Sequence, residues 1–360
     1  SNQMNTLLSL NNTTDENKAV KIHIKESKNG DLLASFNVYL IGQDMWTMGM
    51  GQQDGQLKMI SDDQSCTAGF PNNDDIAIEE NWLWQNGTIE IIEMAVLDHI
   101  EAPFSYRNCN HINQTWQPSE NFISPATGGL HAEVTLMDVE QGHSANIPII
   151  HMDGFYGDDN IQYTAAGEAA PNLSTGTKDS LVMSHGEAIQ TSWPTGYEAV
   201  SALLMNNSLI NEFNIESSVA AQTEWIVSFP TLHYHLTSDD GIILPFKTSI
   251  PNDTAAFWFP TQYSNTDYFN REGELKNHYV CGGCSPRPPE IETNSVIDLI
   301  IYQNTHQIYP NITLAKPDPM MASNFNDNTH YLNASIDHVN NLTCEYWAVD
   351  YGNIRLELGT

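Results

Sequence analysis

Three residues near position 280 have the spacing of metal ligands. His278, Cys281 and Cys284 form an H-x-x-C-x-x-C segment, and imidazole and thiolate groups placed around one turn suit a tetrahedral zinc ion. A fourth ligand would have to come from elsewhere in the chain, and the candidates are Cys344, His306 and His338. Structural zinc sites of this type usually contain a second closely spaced ligand pair, which this chain lacks. Zinc is therefore one of two hypotheses for these residues.

A disulfide is the other hypothesis for the same cysteines. The chain has five cysteines, which suits an oxidising compartment without making a disulfide-dense scaffold. One or both of Cys281 and Cys284 would form disulfides, with Cys344 as a candidate partner. Cys66 and Cys109 flank the region 82–97, and we predict that they form a disulfide with each other.

Acidic loops raise a further metal hypothesis. Asp153, Asp158 and Asp159 lie in the segment HMDGFYGDDN, and residues 72–75 form an earlier acidic turn. Carboxylate oxygens are ligands that calcium prefers, but neither loop has the spacing of an EF-hand. Calcium is therefore a candidate cofactor, and a solvated acidic surface is the alternative.

Two pairs of glutamates resemble the carboxylate pairs that cleave glycosidic bonds. Glu272 and Glu274 lie in a polar stretch of an acid-rich chain, which favours a solvated loop. Glu90 and Glu93 lie in an apolar strand, where a carboxylate must be paired or must have a raised pKa. Because they are three positions apart on a strand, they face opposite sides and cannot act as one pair. We therefore predict structural hydrogen bonding for both.

A third group of candidate ligands is a pair of histidines. His233 and His235 are two positions apart in a segment that alternates like a strand, so we predict that their imidazoles point the same way and can share a metal. No third ligand is identifiable nearby. The chain also contains no G-x-S-x-G, H-E-x-x-H, phosphate-loop or G-x-G-x-x-G motif. The sequence therefore selects no catalytic residues.

The elements that position these residues have the pattern of antiparallel β-structure. Between Val20 and Lys25, apolar residues alternate with lysine and histidine, which predicts a strand with one buried face and one solvent-exposed face. Residues 28–31 follow as a turn. Further strands are predicted at Leu7–Leu10, Leu32–Ile41, Trp46–Met50, Leu57–Ile60, Ile89–Leu97, Leu130–Val139 and Ile147–Met152.

The C-terminal half continues this pattern after one helix. Strands are predicted at Thr223–Leu236, Ile242–Phe246, Ala255–Phe259, Val296–Tyr302, Ile308–Leu314 and Cys344–Leu358. Short strands separated by frequent turns are typical of a β-sandwich. The predicted fold class is therefore mainly β, built of immunoglobulin-like β-sandwiches with one notable α-helix at about 197–213.

A change in composition indicates where the chain divides. Residues 106–129 are rich in Asn, Pro and Gly, which is typical of a connecting segment. We predict an N-terminal β-sandwich over residues 1–118 and a second β-rich domain with the helix over residues 119–360, with one intertwined unit as the alternative.

The charge of the chain restricts its partners. Forty-five Asp and Glu against 13 Lys and Arg give a formal net charge of −32, which repels phosphate groups, so we exclude nucleic acid and anionic membrane surfaces as partners. No stretch approaches the roughly 20 consecutive apolar residues of a transmembrane helix. The prediction is a chain without a transmembrane segment.

Several segments together form a recognisable pattern. They are Thr6–Leu10, the K-A-V-K and F-N-x-Y-L runs within residues 18–40, Cys66, Glu90–Leu97 and Thr223–Thr231. The pattern resembles that of a group of uncharacterised exported proteins of Gram-negative bacteria. The resemblance implies a β fold and an envelope location, and it implies no reaction. The group has a late cysteine before an acidic Y-D-R-E-E segment. No cysteine lies close upstream of the corresponding residues 268–274, so that late disulfide is not carried over.

These observations predict an exported protein of a Gram-negative bacterium that is periplasmic, located on the outer cell surface, or secreted. We predict a non-enzymatic structural, adhesive or ligand-binding surface module, whose partner is a glycan or another envelope protein. An uncovered edge strand would favour assembly by strand addition, and tryptophans on one open face would favour glycan binding. The tryptophans concerned are Trp82, Trp84, Trp116, Trp193 and Trp258. The alternative is a β-sandwich hydrolase or lyase that cleaves polysaccharide with a carboxylate pair.

Overall fold

The computed structural model divides the chain into two compact units. One unit contains Ser1–Glu26 and Gly30–Leu203, and the other contains Ser27–Asn29 and Leu204–Thr360. The structure describes residues 4–26, 30–53, 56–72, 76, 87–97, 109, 112–140, 142–157, 161–184, 187–204, 208–214, 223–228, 230–235, 262–269, 291–293, 297–304, 310–315 and 351–358.

The first unit contains twelve described strands and one α-helix. In chain order these are β1 (Met4–Asn12), β2 (Asn17–Glu26), β3 (Leu32–Leu40), β4 (Met45–Gln53), β5 (Gln56–Ile60), β6 (Cys66–Ala68), β7 (Gly87–Leu97), β8 (Ile123–Ser124), β9 (Leu130–Asp138), β10 (His143–Ile147), β11 (Asp179–Ser184), β12 (Glu187–Ser192) and α1 (Gly196–Leu204). These bounds confirm the strands predicted between residues 7 and 60, at 89–97 and at 130–139. The predicted strand at Ile147–Met152 instead begins at His143 and ends at Ile147.

Ten of these strands form two five-stranded antiparallel sheets. The first sheet has the order β10-β9-β1-β4-β5, and the second has the order β6-β3-β2-β7-β8. Both sheets contribute to one apolar core, in which Leu8 and Trp46 of the first sheet join Ile22 and Phe36 of the second. The predicted mainly β, sandwich-type fold is confirmed. Its immunoglobulin-like character stays a prediction.

The core follows from the alternation of the strands. Val20 and Ile22 of β2 are fully buried, and so is Phe36 of β3, whose ring is tilted against that of Trp46 at a ring-centroid distance of 5.9 Å. Full burial of a large apolar side chain contributes roughly 1.5–3 kcal/mol. The alternation therefore sets which face of each strand packs into the sandwich.

The opposite face of β2 differs from the prediction of a solvent-exposed face. Lys21, His23 and Lys25 are buried, because the chain passes back over this face of the second sheet. We call residues 162–171 the cover segment, since its backbone contacts β2 and β3 through the hydrogen bonds described below. The prediction was wrong here because a strand pattern shows which side chains share a face and not what packs on that face.

The helix α1 is shorter than predicted. It ends at Leu204, and Ser208–Asn214 forms strand β13 instead of continuing the helix to residue 213. The predicted start at about residue 197 agrees with the observed start at Gly196. Thr195 and Glu198 form a capping box at this end, in which Glu198 N donates to Thr195 Oγ1 and Thr195 N donates to Glu198 Oε2. Within 208–214, apolar and polar side chains suit the pleat of a strand as well as they suit a helix.

The second unit, in its described part, consists of antiparallel strands and one 3-10 helix, Leu232–His235. The strands are β13 (Ser208–Asn214), β14 (Thr223–Ser228), β15 (Gln262–Phe269), β16 (Ile291–Thr293), β17 (Ile297–Asn304), β18 (Pro310–Ala315) and β19 (Tyr351–Leu358). They form one sheet of order β13-β19-β15-β16 and another of order β14-β17-β18. The strands predicted at 242–246 and 255–259 lie outside the described residues.

The chain divides between its two units at Leu203–Leu204, which is not where the domain boundary was predicted. Strand β9 pairs along its length with β1, and β8 pairs with the end of β7. Residues 119–203 therefore share a unit with residues 4–97, and the predicted boundary at residue 118 falls inside that unit. Within this loop-like segment, the described residues 112–129 precede β9 and include the short strand β8. No helix among the described residues is long and apolar enough to cross a membrane.

Candidate functional site

Two buried ion pairs join β2 to β7. Lys18 Nζ lies 2.8 Å from Glu93 Oε1, and Lys25 Nζ lies 2.5 Å from Glu90 Oε1. All four side chains are buried. Because each pair lies on a different face of the second sheet, Glu90 and Glu93 do not form one carboxylate pair, and the prediction of structural hydrogen bonding for both is confirmed.

Glu93 also fixes the turn that leads into β9. Its Oε1 accepts from Thr127 N at 3.1 Å, and its Oε2 accepts from Gly128 N at 2.8 Å. Lys18 Nζ donates to Thr127 Oγ1 at 2.9 Å. A buried carboxylate surrounded by donors in this way has its charge compensated, so Glu93 is part of a closed hydrogen-bond network.

The basic residues of β2 hold the cover segment by its backbone carbonyls. Lys21 Nζ donates to Ala165 O at 2.6 Å, and His23 Nε2 lies 2.7 Å from Pro171 O. Because a carbonyl oxygen only accepts, the proton of His23 is on Nε2. His23 Nδ1 is then an acceptor, and it is buried without a hydrogen-bond partner among the described residues.

Strand β3 holds the same segment with three further contacts. Asn37 Nδ2 donates to Thr164 O at 2.9 Å, and Ser35 Oγ donates to Glu168 O at 2.8 Å. Gly167 N donates to Ser35 O at 2.9 Å. These bonds pair backbone polar groups of a segment that lacks regular secondary structure.

Burial shifts the protonation equilibria of the basic residues. Desolvation lowers the pKa of Lys21 to about 8 and the pKa of His23 to about 4, because the charged form of each group loses its hydration. The nearby charges of Lys25 and Lys21 add to the effect on His23. His23 is therefore neutral at neutral pH, whereas Lys21, with a pKa of about 8, is still mostly protonated there.

A disulfide and an aromatic cluster cover the rest of this face. Cys66 and Cys109 are bonded with a Cα–Cα distance of 5.4 Å, which confirms the predicted pair. Trp116 packs edge-on against Tyr39 and Tyr163, and the hydroxyls of Tyr39 and Tyr163 are 2.6 Å apart. Burial raises the pKa of both tyrosines. Trp116 is thus part of the packing under the cover.

The other predicted tryptophan that the structure describes is also held in place. Trp193 is half-buried, and its Nε1 donates to Ser180 Oγ and Thr191 Oγ1, both at 2.9 Å. Trp116 and Trp193 are thus both partly buried and both engaged in internal contacts. Trp82, Trp84 and Trp258 lie outside the described residues.

The histidine pair differs from its prediction. His233 and His235 lie in a 3-10 helix, Leu232–His235, rather than on a strand. His235 is buried and His233 is exposed, because residues two apart in a helix of three residues per turn point in different directions. The prediction that both rings point the same way was wrong, and the two histidines do not form a shared metal site.

The remaining metal predictions are only partly covered by the described residues. Asp153 Oδ1 accepts from its neighbour Gly154 N at 2.8 Å, and Asp158 and Asp159 lie outside the described residues. Within the described part of the chain, no group of three or more His, Cys, Asp or Glu side chains is arranged to hold a metal. The zinc and late disulfide candidates, His278, Cys281, Cys284 and Cys344, lie outside it as well.

We call Lys21, His23 and Lys25 the buried basic row of β2. The sequence pattern predicted neither its burial nor its contact with the cover segment. The one available signal was the unusual length of the polar loop between residues 153 and 180, since long loops in compact domains tend to have a function or to pack on their own unit. The chain matches no protein-family model, no curated protein and no solved structure, so its function has to be inferred from the geometry above.

Proposed function

We propose that this chain is a non-enzymatic module of the envelope of a Gram-negative bacterium, with a structural, adhesive or ligand-binding role. The observation that carries the proposal is the state of the buried ionisable groups. Glu90 and Glu93 are each held by a lysine of β2. Lys21 and His23 are bonded to carbonyls of the cover segment. All of these side chains are buried, which supports a role in holding the fold rather than in binding a substrate.

The envelope location has two supports. The Cys66–Cys109 disulfide is expected in proteins that fold outside the cytoplasm. The resemblance of several segments to exported proteins points to the same compartment. Fractionation of the native organism into cytoplasm, periplasm, outer membrane and medium, followed by detection of the chain, tests this part. Recovery of the chain in the cytoplasm with free thiols at Cys66 and Cys109 would contradict it.

Assembly is the role that the described residues favour over glycan binding. Trp116 and Trp193 are committed to internal contacts, whereas two strands of the first unit form a separate exposed ribbon. A surface module that assembles needs exposed backbone edges more than exposed rings. We therefore infer that its partner is a protein of the envelope.

The rival function is cleavage of polysaccharide by a carboxylate pair. The test incubates the purified wild-type chain with a panel of neutral and acidic polysaccharides and follows new reducing ends and unsaturated products. The proposal predicts no products from any polysaccharide. Product formation that Glu90→Gln abolishes, without a change in the melting temperature, would establish the rival function. The matched variant Glu93→Gln distinguishes a catalytic carboxylate from a structural one, because the two side chains lie on opposite faces of β7.

A further inference from the structure

Strands β11 and β12 form a two-stranded ribbon anchored at one end. Trp193 closes the anchored end, with its Nε1 bonded to Ser180 and Thr191 and its backbone N donating to Lys178 O at 2.8 Å. Among the described strands, none pairs with the outer edge of either ribbon strand. A two-stranded ribbon is marginally stable in isolation and gains stability when further strands add to it.

The middle of the ribbon exposes large apolar side chains on both faces. Leu181 is 57% exposed and Ile189 is 44% exposed. Leu181 is directly opposite Gln190, and Val182 is directly opposite Ile189, so the two exposed residues lie on different faces of the ribbon. Along β12, every residue except Thr191 is exposed.

The other sheet edges of the sandwich are protected or polar. Strands β6 and β8 are only three and two residues long, and β5 makes bridges with Asn72 and Ile76. The outer strand β10 presents Ser144, Ala145 and Asn146 to solvent. Strand β12 has neither proline nor lysine, and its single charge is at Glu187. It therefore lacks the features that normally prevent an edge strand from pairing with another chain.

We propose that two copies of this chain associate through β12, pairing edge to edge and antiparallel about a two-fold axis to form a continuous four-stranded sheet. The proposal rests on the proposed function and names the partner of the module. The chain has a net charge of −32, but β12 contains only one acidic residue. A basic partner would therefore be attracted to other parts of the surface. A second copy of the nearly uncharged strand β12 fits this edge better. A two-fold axis normal to the sheet at Ile189 places Ile189 opposite Ile189 of the partner subunit and Glu187 opposite Thr191 of the partner subunit, so like charges do not meet.

The size of the contact predicts its strength. A strand of six residues is about 20 Å long. Pairing along it buries less than the roughly 1,200 Å² of a standard stable interface. The dimer should therefore form at micromolar or higher concentration. Because both copies are strongly acidic, added salt should strengthen the association, whereas it would weaken binding to a cationic partner.

Sedimentation velocity of the full chain over a concentration series, at low and at high salt, tests the proposal. We expect a monomer at low concentration and a dimer at high concentration, with more dimer at high salt. Ile189→Lys should weaken the dimer by about tenfold or more, because it places two ammonium groups close together across the axis. The matched control is Ile60→Lys, since Ile60 is 45% exposed on β5 and lies outside the ribbon. It should leave the dimer unchanged.

Hydrogen exchange is a second measurement that uses only the wild-type chain, so misfolding of a variant cannot affect it. Hydrogen exchange of the wild-type chain should slow in Glu187–Ser192 as the concentration rises, and exchange in His143–Ile147 should stay constant. A chain that is monomeric at all concentrations, or equal effects of the two lysine substitutions, would overturn the proposal. So would protection at β10 in place of β12. A monomer without enzymatic activity would leave the proposed function intact, and a dimer that cleaves polysaccharide would overturn that function but not the pairing.

Discussion

Replacing His23 tests how strongly the buried basic row couples the first unit to pH. His23 has a pKa lowered from 6.5 to about 4 in the folded state, so between these values the unfolded chain binds more protons than the folded chain. The stability that this histidine contributes is therefore fully present above pH 6.5 and is lost as the pH falls toward 4. The two values correspond to a loss of about 2 kcal/mol between pH 7 and pH 5.

The groups around His23 set the sign of this effect. Lys21 and Lys25 flank it on β2, and their positive charges oppose its protonation. Glu90 is its cross-strand neighbour on β7 but already pairs with Lys25. Glu168 of the cover segment acts mainly on Lys21. Protonated His23 would thus add a positive charge to a buried region in which two cations are already present.

The assay is urea unfolding of the wild-type chain and of His23→Gln at pH 7 and at pH 5. The glutamine amide can donate to Pro171 O in place of His23 Nε2, and it does not titrate. The many carboxylates of the chain affect both proteins equally, so the quantity of interest is the difference between them. We expect the wild type to lose about 2 kcal/mol more than the variant between the two pH values. The control His131→Gln, at an exposed position of β9, should behave like the wild type. Equal pH dependence of the wild type and His23→Gln would refute the reasoning.

Two other predictions concern groups that hold the cover and the turn before β9. Lys18→Met should lower the free energy of unfolding, measured by chemical denaturation, by about 3 kcal/mol or more. The reason is that Glu93 is left buried without its ammonium partner. A loss below about 1 kcal/mol would mean that Glu93 is solvated. The Cys66–Cys109 disulfide closes a loop with a sequence separation of 43, so its reduction should lower the free energy of unfolding by about 4 kcal/mol. Reduction should also expose Trp116 to a fluorescence quencher. Unchanged quenching would show that the aromatic cluster does not depend on the disulfide.

The strands were predictable from the sequence because their apolar residues alternate. The pattern from Val20 to Ile24 fixed both the strand and its buried face. The disulfide was predictable because Cys66 and Cys109 flank one strand region of the chain. The opposite faces of Glu90 and Glu93 followed from a separation of three positions on a strand.

The burial of the basic row could not be predicted in the same way. The partners of Lys21 and His23 are the carbonyls of Ala165 and Pro171, more than 140 positions away. Every residue has a backbone carbonyl, so the sequence does not indicate which carbonyls accept these hydrogen bonds. Residues 208–214 and the pair His233 and His235 failed for a related reason, because short segments fit more than one period.

The most direct test of the central claim, that the buried ionisable groups of β2 and β7 stabilise the fold, is a double-mutant cycle on Lys25 and Glu90. The variants are Lys25→Met, Glu90→Leu and the double variant, and the measured quantity is the free energy of unfolding. Each single substitution should cost about 3–5 kcal/mol, and the double variant should be much less destabilised than the sum of the two. The claim would be contradicted if the single substitutions changed the free energy of unfolding by almost nothing, if their effects were additive, and if Glu90→Leu removed an enzymatic activity.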